Sequence, residues 1–265
     1  MDRYSVQIIL GDPTDSGLYP YATVVLYLKE VVMIHIRKSE SRGVADFGWL
    51  KSRHTFSFGS WYDPRFMGFS VLRVINEDRI EIGSGFDTHG HQNMEIISYV
   101  KTGALAHKDS MGNVETIPAG DVQRMSAGTG VLHSEFNAAD AETHFFQIWI
   151  LPQTDNIEPS YEQRPVSEMV TANNLTLLVS PDGRDDSLSI NQDAFLYKIN
   201  PSQTPTEVEL DPYRCQFLQV MEGGCSVDGQ ELQTGDMVYI EDESQVTISG
   251  RTAELLYFNL PRYSA

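Results

Sequence analysis

The sequence has few cysteines, few cationic side chains and no long apolar run. Cys215 and Cys225 are its two cysteines, and a hairpin centred near Gly223 would hold their Cα atoms farther apart than the ~7 Å that a disulfide bond tolerates. The sequence has no CxxC motif to suggest redox chemistry. We therefore expect two free thiols in a reducing compartment, the cytoplasm.

The shortage of positive charge limits the partners that the chain can bind. Lys and Arg number 19 against 37 Asp and Glu, which gives a formal net charge of −18. A phosphate backbone and an anionic membrane both need clustered cations, so we expect no direct contact with nucleic acid and none with a membrane. No apolar run approaches the ~20 residues of a membrane helix. The N-terminus also lacks the basic start and the cleavage site of a signal peptide.

The first 32 residues do not resemble the rest of the chain. A β-like stretch begins at Met33, and we interpret Met33 as the natural start, with residues 1–32 as an upstream extension that is not native or is poorly ordered. Residues 22–32 can be read as an extra strand, as a weakly packed helix or as a disordered segment.

Short β-like segments separated by glycine-bearing turns make up the remaining sequence. No long segment shows the 3.6-residue apolar period of a helix, so the pattern predicts an all-β fold, either a barrel or a sandwich. We predict a linker over residues 156–174 between an N-terminal domain, 33–155, and a C-terminal domain, 175–265. Three prolines mark this boundary: Pro152, Pro159 and Pro165.

The two halves share a weak internal repeat. Residues 100–103 and Gly120-Asp121 in the first half are echoed by residues 220–223 and Gly235-Asp236 in the second. One difference is functional, because no histidine follows His144. The second half therefore cannot build a histidine-rich site.

Two pairs of side chains in the first half indicate a metal site. His89 and His91 are two residues apart, so on a β-strand they point the same way with Cα atoms about 6.5 Å apart. His133 and Glu135 form a second such pair after a glycine-rich turn. Imidazole and carboxylate suit Fe(II), Mn, Ni or Cu better than they suit thiol-seeking metals. Four ligands on an octahedral ion leave two positions for substrate and O2, whereas a tetrahedral structural zinc leaves none.

The residues around these pairs resemble two cupin motifs. The first is Gly83-x5-His89-x-His91-x3-Glu95 followed by Gly103, and the second is Gly120 with Gly128-x-Gly130-x2-His133-x3-Asn137. The departures are small: Gly128 stands where cupins usually have proline, and two spacings are longer. Within the cupins, four stretches resemble the pirin family: His54–Gly59, His107–Asn113, Gly120–Gly128 and His133–Glu135.

The resemblance to pirins implies a bicupin, two double-stranded β-helix barrels packed together, in which only the N-terminal barrel keeps metal ligands. It implies a single iron held by three histidines and one glutamate, which map onto His89, His91, His133 and Glu135. We expect one divalent ion, Fe(II) first, with Mn, Ni, Cu, Co or Zn as alternatives. We also expect a monomer.

Two functions of different classes follow from the resemblance. Some pirins have quercetin 2,3-dioxygenase activity, so the first is an enzyme that cleaves a flavonol or a similar aromatic enol with O2, with Glu135 as the catalytic proton acceptor. Others are described as transcriptional co-regulators or partners of metabolic enzymes, so the second is a non-enzymatic metal-binding regulator that acts through a protein partner. A metal-dependent isomerase or another dioxygenase would use the same scaffold.

The remaining histidines and aromatic residues are assigned structural roles on sequence grounds. This applies to His35, His54, His107 and His144. Glu95 of the first motif is expected to orient a ligand histidine, with direct ligation as the alternative. Four aromatic residues are candidates for the substrate mouth, although at strand spacing they fit a core better: Phe56, Phe58, Trp61 and Phe86.

Overall fold

A computed structural model of the protein describes residues 33–202, 204–250 and 252–262. These residues form 23 β-strands and three short 3-10 turns, without an α-helix, which confirms the all-β prediction. No helix in this part of the chain could span a membrane. The interpretation of residues 1–32 lies outside the described residues.

Twelve strands come from the first part of the chain. They are β1 (Met33–Arg37), β2 (Gly43–Asp46), β3 (Leu50–His54), β4 (Leu72–Ile80), β5 (Gly85–His91), β6 (Glu95–Thr102), β7 (Ala104–Asp109), β8 (Val114–Pro118), β9 (Asp121–Ser126), β10 (Val131–Asn137), β11 (Thr143–Ile150) and β12 (Ser160–Pro165).

Eleven strands follow. They are β13 (Thr171–Ala172), β14 (Leu175–Ser180), β15 (Leu188–Ser189), β16 (Phe195–Ile199), β17 (Thr206–Glu209), β18 (Cys215–Glu222), β19 (Gly224–Val227), β20 (Gln230–Gln233), β21 (Met237–Glu241), β22 (Gln245–Gly250) and β23 (Glu254–Leu260).

The N-terminal barrel consists of two sheets. The larger sheet has the order β12-β9-β6-β11-β4-β3-β2 and the smaller has the order β5-β10-β7-β8. Leu50, Val100 and Phe145 of the larger sheet pack against Leu105 and Ile117 of the smaller one. This apolar cluster fills one part of the barrel, and polar side chains line much of the rest.

The C-terminal barrel repeats the arrangement. Its larger sheet has the order β1-β21-β18-β23-β16-β14-β13, with β15 beside β14, and its smaller sheet has the order β17-β22-β19-β20. Its interior is apolar and includes Val208, Val227, Val246 and Ile248. Both cysteines are free and buried.

Each barrel completes the edge of its larger sheet with a strand from outside its predicted bounds. Strand β1 precedes the N-terminal barrel along the chain but pairs with β21, and β12 lies within the predicted linker but pairs with β9. The structure differs here from the expected boundaries, because the open edge of β9 takes up residues 160–165. Pro165 ends that edge strand, where a missing N–H can be tolerated.

A large apolar cluster joins the two barrels. It packs Ile97, Tyr99 and Phe146 of the N-terminal barrel with Phe217 and Phe258 of the C-terminal barrel. Side chains alternate along each strand, so one face of β6 and β11 supplies this cluster while the other face looks into the N-terminal barrel. The metal-site candidates lie on that inner side.

Candidate metal centre

Strand pairing brings the first predicted pair beside the second. In the antiparallel ladder between β5 and β10, His89 lies directly opposite His133, and His91 lies opposite Val131. The turn before β10 contains Gly128, whose φ is +46°. A Cβ at Gly128 would lie 2.1 Å from the carbonyl oxygen of Ile157, so this close approach requires glycine.

Three imidazole rings converge in the structure. Their ring centroids are 4.5 Å apart for His89 and His133, and 4.9 Å apart for His91 with either of the other two. The Nε2 atoms of His89 and His133 are 3.1 Å apart, and one ring nitrogen from each of the three lies within 4.8 Å of the others. The structure thus brings together the three predicted histidines.

A backbone hydrogen bond fixes the orientation of His89. Its Nδ1–H group donates to the carbonyl oxygen of Asp87 at 2.7 Å. This bond leaves the Nε2 lone pair directed toward His133, as metal-binding histidines require.

The other two rings are held neutral. Burial, followed by the charge of His89, lowers the pKa of His91 to about 4. Burial and the neighbouring histidines lower the pKa of His133 to about 3, and its Nδ1 atom is buried without a hydrogen-bond partner among the described residues. At neutral pH these rings offer lone pairs rather than charges, which is the state that binds a divalent ion.

Glu135 lies beside this group rather than within it. A β-bulge between His133 and Glu135 shifts the pairing with β5, and the Glu135 carboxylate shares its 4.8 Å neighbourhood with His133 and His107. Gln147 Nε2 donates to it at 2.9 Å, and Ser98 Oγ donates at 3.4 Å. Burial, followed by the charge of Asp78, raises the pKa of Glu135 to about 7.

His107, which is expected to be structural on sequence grounds, lies beside this group, and so does Asp109, which the sequence did not single out. His107 lies opposite Glu135, and Asp109 lies opposite His133, in the ladder between β7 and β10. Both side chains are fully buried, and His107 Nε2 is 2.9 Å from the Asp109 carboxylate. The signal was present in the sequence, because His107-x-Asp109 has the same alternate spacing as the two recognised pairs.

A cavity of about 500 Å³ opens onto His89 and His91. Phe58 and Phe86 lie in its wall, as the substrate-mouth hypothesis required, whereas Phe56 is in the core between the barrels. Trp61 instead packs against Gly43. The cavity has five aromatic residues in its wall: Phe47, Trp49, Phe58, Phe86 and Trp149.

The other titratable candidates lie in varied surroundings. Glu95 faces away from the barrel interior, and its carboxylate accepts a 2.7 Å hydrogen bond from Ser126 Oγ. The expectation that Glu95 orients a ligand histidine, or itself binds the metal, is therefore wrong. His144 Nε2 lies 3.2 Å from Glu77 Oε1, within hydrogen-bonding distance, and has a structural role. His35 is exposed, and His54 lines the cavity.

The chemistry of this donor set fits a divalent first-row metal. Three convergent imidazole nitrogens, with an acidic oxygen adjacent, are the donors that such ions prefer. The thiols of Cys215 and Cys225 are buried in the other barrel and take no part.

Comparisons with known proteins identify the families of both barrels. Residues 35–150 match the family described as Pirin, and residues 177–260 match the quercetinase C-terminal cupin domain. The quercetin 2,3-dioxygenase of Escherichia coli K12 is 46% identical over 234 residues, which cover 86% of this chain and 99% of that protein. A pirin-like protein of Caulobacter vibrioides is 39% identical, over 84% of this chain and 98% of its own.

Solved structures give the same result. YhhW from E. coli has a TM-score of 0.82 at 44% identity, with 88% of this chain and 100% of that chain covered. The bacterial pirin YhhW in complex with nickel(II) has a TM-score of 0.81 at 45% identity, with 86% and 99% covered. The bicupin expectation is confirmed, and the chain belongs to the pirin family.

Proposed function

We propose that the protein is a metal-dependent dioxygenase that cleaves a flavonol-type substrate with O2. The observation that carries the proposal is the cavity, whose wall combines five aromatic side chains with His89 and His91. Similarity to proteins named quercetin 2,3-dioxygenase supports the same reaction class.

His89, His91 and His133 would hold the ion, with Glu135 as the fourth ligand. An ion held there would supply Lewis-acid chemistry, which lowers the pKa of an enol hydroxyl beside it. The hydrogen bond from His89 to Asp87 keeps one ring in the binding orientation before substrate arrives.

Glu135 is the proton acceptor for the enol hydroxyl. In the protein without a bound ion, burial raises the pKa of Glu135 to about 7, which favours proton uptake by this carboxylate. Gln147 and Ser98 donate hydrogen bonds to its two oxygens and set its orientation.

The aromatic wall positions the substrate ring and excludes water. The ring of Trp149 lies 4.9 Å from that of His91, and Phe58 packs edge-on against Trp149 at 5.3 Å. The ring of Phe86 lies 6.4 Å from that of His89. Such walls favour flat aromatic ligands beside the histidines.

The rival function, a metal-binding regulator without catalysis, would be better served by a closed interior and an apolar recognition patch. The open cavity favours catalysis instead. A protein partner stays a prediction of that second hypothesis.

The test is to measure release of CO from quercetin by protein loaded anaerobically with Fe(II), Mn, Ni, Cu or Co and then exposed to O2. We expect turnover in the wild type and a loss of at least about 100-fold in kcat for Glu135→Gln. Glu95→Gln is the matched control, because Glu95 is also a buried glutamate but faces the opposite side of β6. Absence of turnover with every one of these metals would contradict the proposal.

A further inference from the structure

Part of the cavity wall is polar, and apart from Gln147, which donates to Glu135, it is not used by the proposed metal chemistry. Strands β3, β4 and β11 add hydrogen-bonding groups to the aromatic lining. These are Ser52, His54, Asn76, Asp78 and Gln147. They belong to the larger sheet, while His89 and His91 belong to the smaller one, so both sheets line the cavity.

Asp78 is the most unusual group in this wall. Its side chain lines the cavity, yet the residue is only 2% exposed. Its Oδ1 atom has no hydrogen-bond partner among the described residues, while the Ser52 hydroxyl, directly opposite on β3, bonds to the carboxylate. A buried carboxylate with an unpaired oxygen is costly unless a ligand supplies the missing donor.

Asn76 adds a donor next to this acceptor. It precedes Asp78 by two residues on β4, so both side chains face the same way with Cα atoms about 6.5 Å apart. The Nδ1–H group of His54 donates to Asn76 Oδ1 at 2.8 Å. The carbonyl oxygen of Asn76 is thus engaged, and its NH2 group is the part that can donate to a ligand.

A phenolic hydroxyl matches this pair, since it both donates and accepts a hydrogen bond. An aliphatic polar ligand would fit the polar wall but not the five aromatic side chains around it. A ligand that is aromatic throughout and hydroxylated at its inner end satisfies both parts of the cavity.

We infer that Asp78 and Asn76 form a hydroxyl-recognition subsite that selects aromatic enols carrying a further phenolic hydroxyl, separate from the one at the metal. This inference rests on the proposed function, which places the enol end of the substrate at His89 and His91. Asp78 accepts a hydrogen bond from the second hydroxyl, and Asn76 donates one to it. A ligand without that hydroxyl leaves the buried acceptor unpaired and is discriminated against.

Binding to zinc-loaded protein tests the subsite independently of turnover. The probes are quercetin and 3-hydroxyflavone, which shares the enol and the carbonyl but lacks the other hydroxyls. Trp49 and Trp149 line the cavity, so quenching of tryptophan fluorescence reports occupancy. We expect the wild type to bind quercetin about 10 to 100 times more tightly than 3-hydroxyflavone.

The variants separate a specificity role from a structural one. Asp78→Ala should bring the affinity ratio close to one by weakening quercetin alone, and a smaller side chain cannot block the cavity. Asp78→Asn should restore most of the ratio, because an amide oxygen can still accept. Asn76→Ala should lower the ratio by about threefold to tenfold, which keeps the test available if Asp78→Ala does not fold.

Gln123→Ala is the matched control. Gln123 is 1% exposed, and its Oε1 also lacks a partner among the described residues, but it is not part of the cavity wall and its loss should leave the ratio unchanged. Equal weakening of both ligands in Asp78→Ala, or equal binding of both by the wild type, would overturn the subsite. A protein that keeps the ratio but consumes no O2 with any metal would refute the dioxygenase and leave the subsite intact.

Discussion

The two barrels have the same strand order but differ in their interiors, which are partly polar in the N-terminal barrel and apolar in the C-terminal one. Each has a large sheet whose edge strand lies outside the bounds predicted for that domain, and each has a four-stranded sheet in the same order of pairings. The turns also correspond, since Gly103 and Gly223 have φ of +78° and +75°, and Gly120 and Gly235 have +90° and +84°. The two barrels therefore share one backbone arrangement.

Strand pairing shows which C-terminal residues occupy the ligand positions. His89 lies opposite His133, as Val208 lies opposite Val246. Glu135 lies opposite His107, as Ile248 lies opposite Val227. Every one of these C-terminal residues is buried in an apolar cluster.

A row of side chains across the larger sheets differs in the same way. In the N-terminal barrel the register aligns Asn76, Gln147, Ser98 and Gln123. In the C-terminal barrel it aligns Tyr197, Tyr257, Leu218 and Val238. The C-terminal barrel forms the same sheet with other side chains in this row. The strand arrangement therefore does not require the four polar side chains of the N-terminal barrel.

The largest expected effect is on metal binding. His133→Ala should reduce the metal content of purified protein to less than about a tenth of the wild-type value, because it removes the ring shared by the two candidate ligand groups. The counterpart change Val246→Ala should leave the metal content unaltered. Elemental analysis of both proteins decides the matter, and equal metal loss in both would break the comparison.

The next effect is on stability and should appear in the C-terminal barrel. Ile248→Ala removes a fully buried side chain from a close-packed interior, which should lower the free energy of unfolding by about 2–5 kcal/mol. Denaturant unfolding of the metal-loaded protein measures this loss, and metal content should persist. A loss below about 1 kcal/mol would mean that this interior is less tightly packed than its contacts indicate.

The third effect is a pH dependence, spread over several pH units, that arises from Asp78, whose counterpart by register is Ile199. Burial, followed by the hydrogen bond from Ser52 and the charge of Glu77, leaves the pKa of Asp78 raised to about 7 from an ordinary 3.8. Between these values the folded state holds a proton that the unfolded state has lost. Stability contributed by this group therefore falls as pH rises, by at most about 1.4 kcal/mol per pH unit.

Asp78→Asn removes that titration. The stability of the variant relative to the metal-free wild type should rise between about pH 4 and pH 7 and stay constant above, as measured by urea unfolding at several pH values. Asp236→Asn is the control of opposite sign: burial raises the pKa of Asp236, but hydrogen bonds from Lys38 and from the backbone of Gln233 and Ser39 lower it overall. Its relative stability should fall as pH rises, and parallel pH curves for both variants would refute the assignment.

The sequence was sufficient for the parts of the site that depend on alternation along one strand. The two-residue spacing of His89 and His91 predicts rings on one face, and their centroids lie 4.9 Å apart. The ring of His133 lies 4.5 Å from that of His89. The position of Glu135 relative to β5 could not be read in this way, because a bulge shifts the pairing after His133.

Features that depend on register between distant strands were out of reach. Asn76, Ser98 and Gln147 stand in apolar strands, and only the pairing of β4, β11 and β6 shows that they form one row. Glu95 was misjudged for a related reason, since its face is set by which side of β6 meets the other barrel. The pairing of β12 with β9 was not predicted, because a proline-bearing segment resembles a linker even when it pairs as an edge strand.

The pairing of β1 with β21 also delays folding of β1 during synthesis of the chain. Strand β1 leaves the ribosome roughly 200 residues before β21, so at about 5–20 residues per second it waits ten seconds or more for its neighbour. The N-terminal barrel lacks the edge of its larger sheet until β12 has been made, and the C-terminal barrel needs β1 from the start of the chain. A fragment ending at residue 155 would carry β1 without its acceptor and β9 with a bare edge, which is the kind of surface that chaperones bind and that aggregates in their absence.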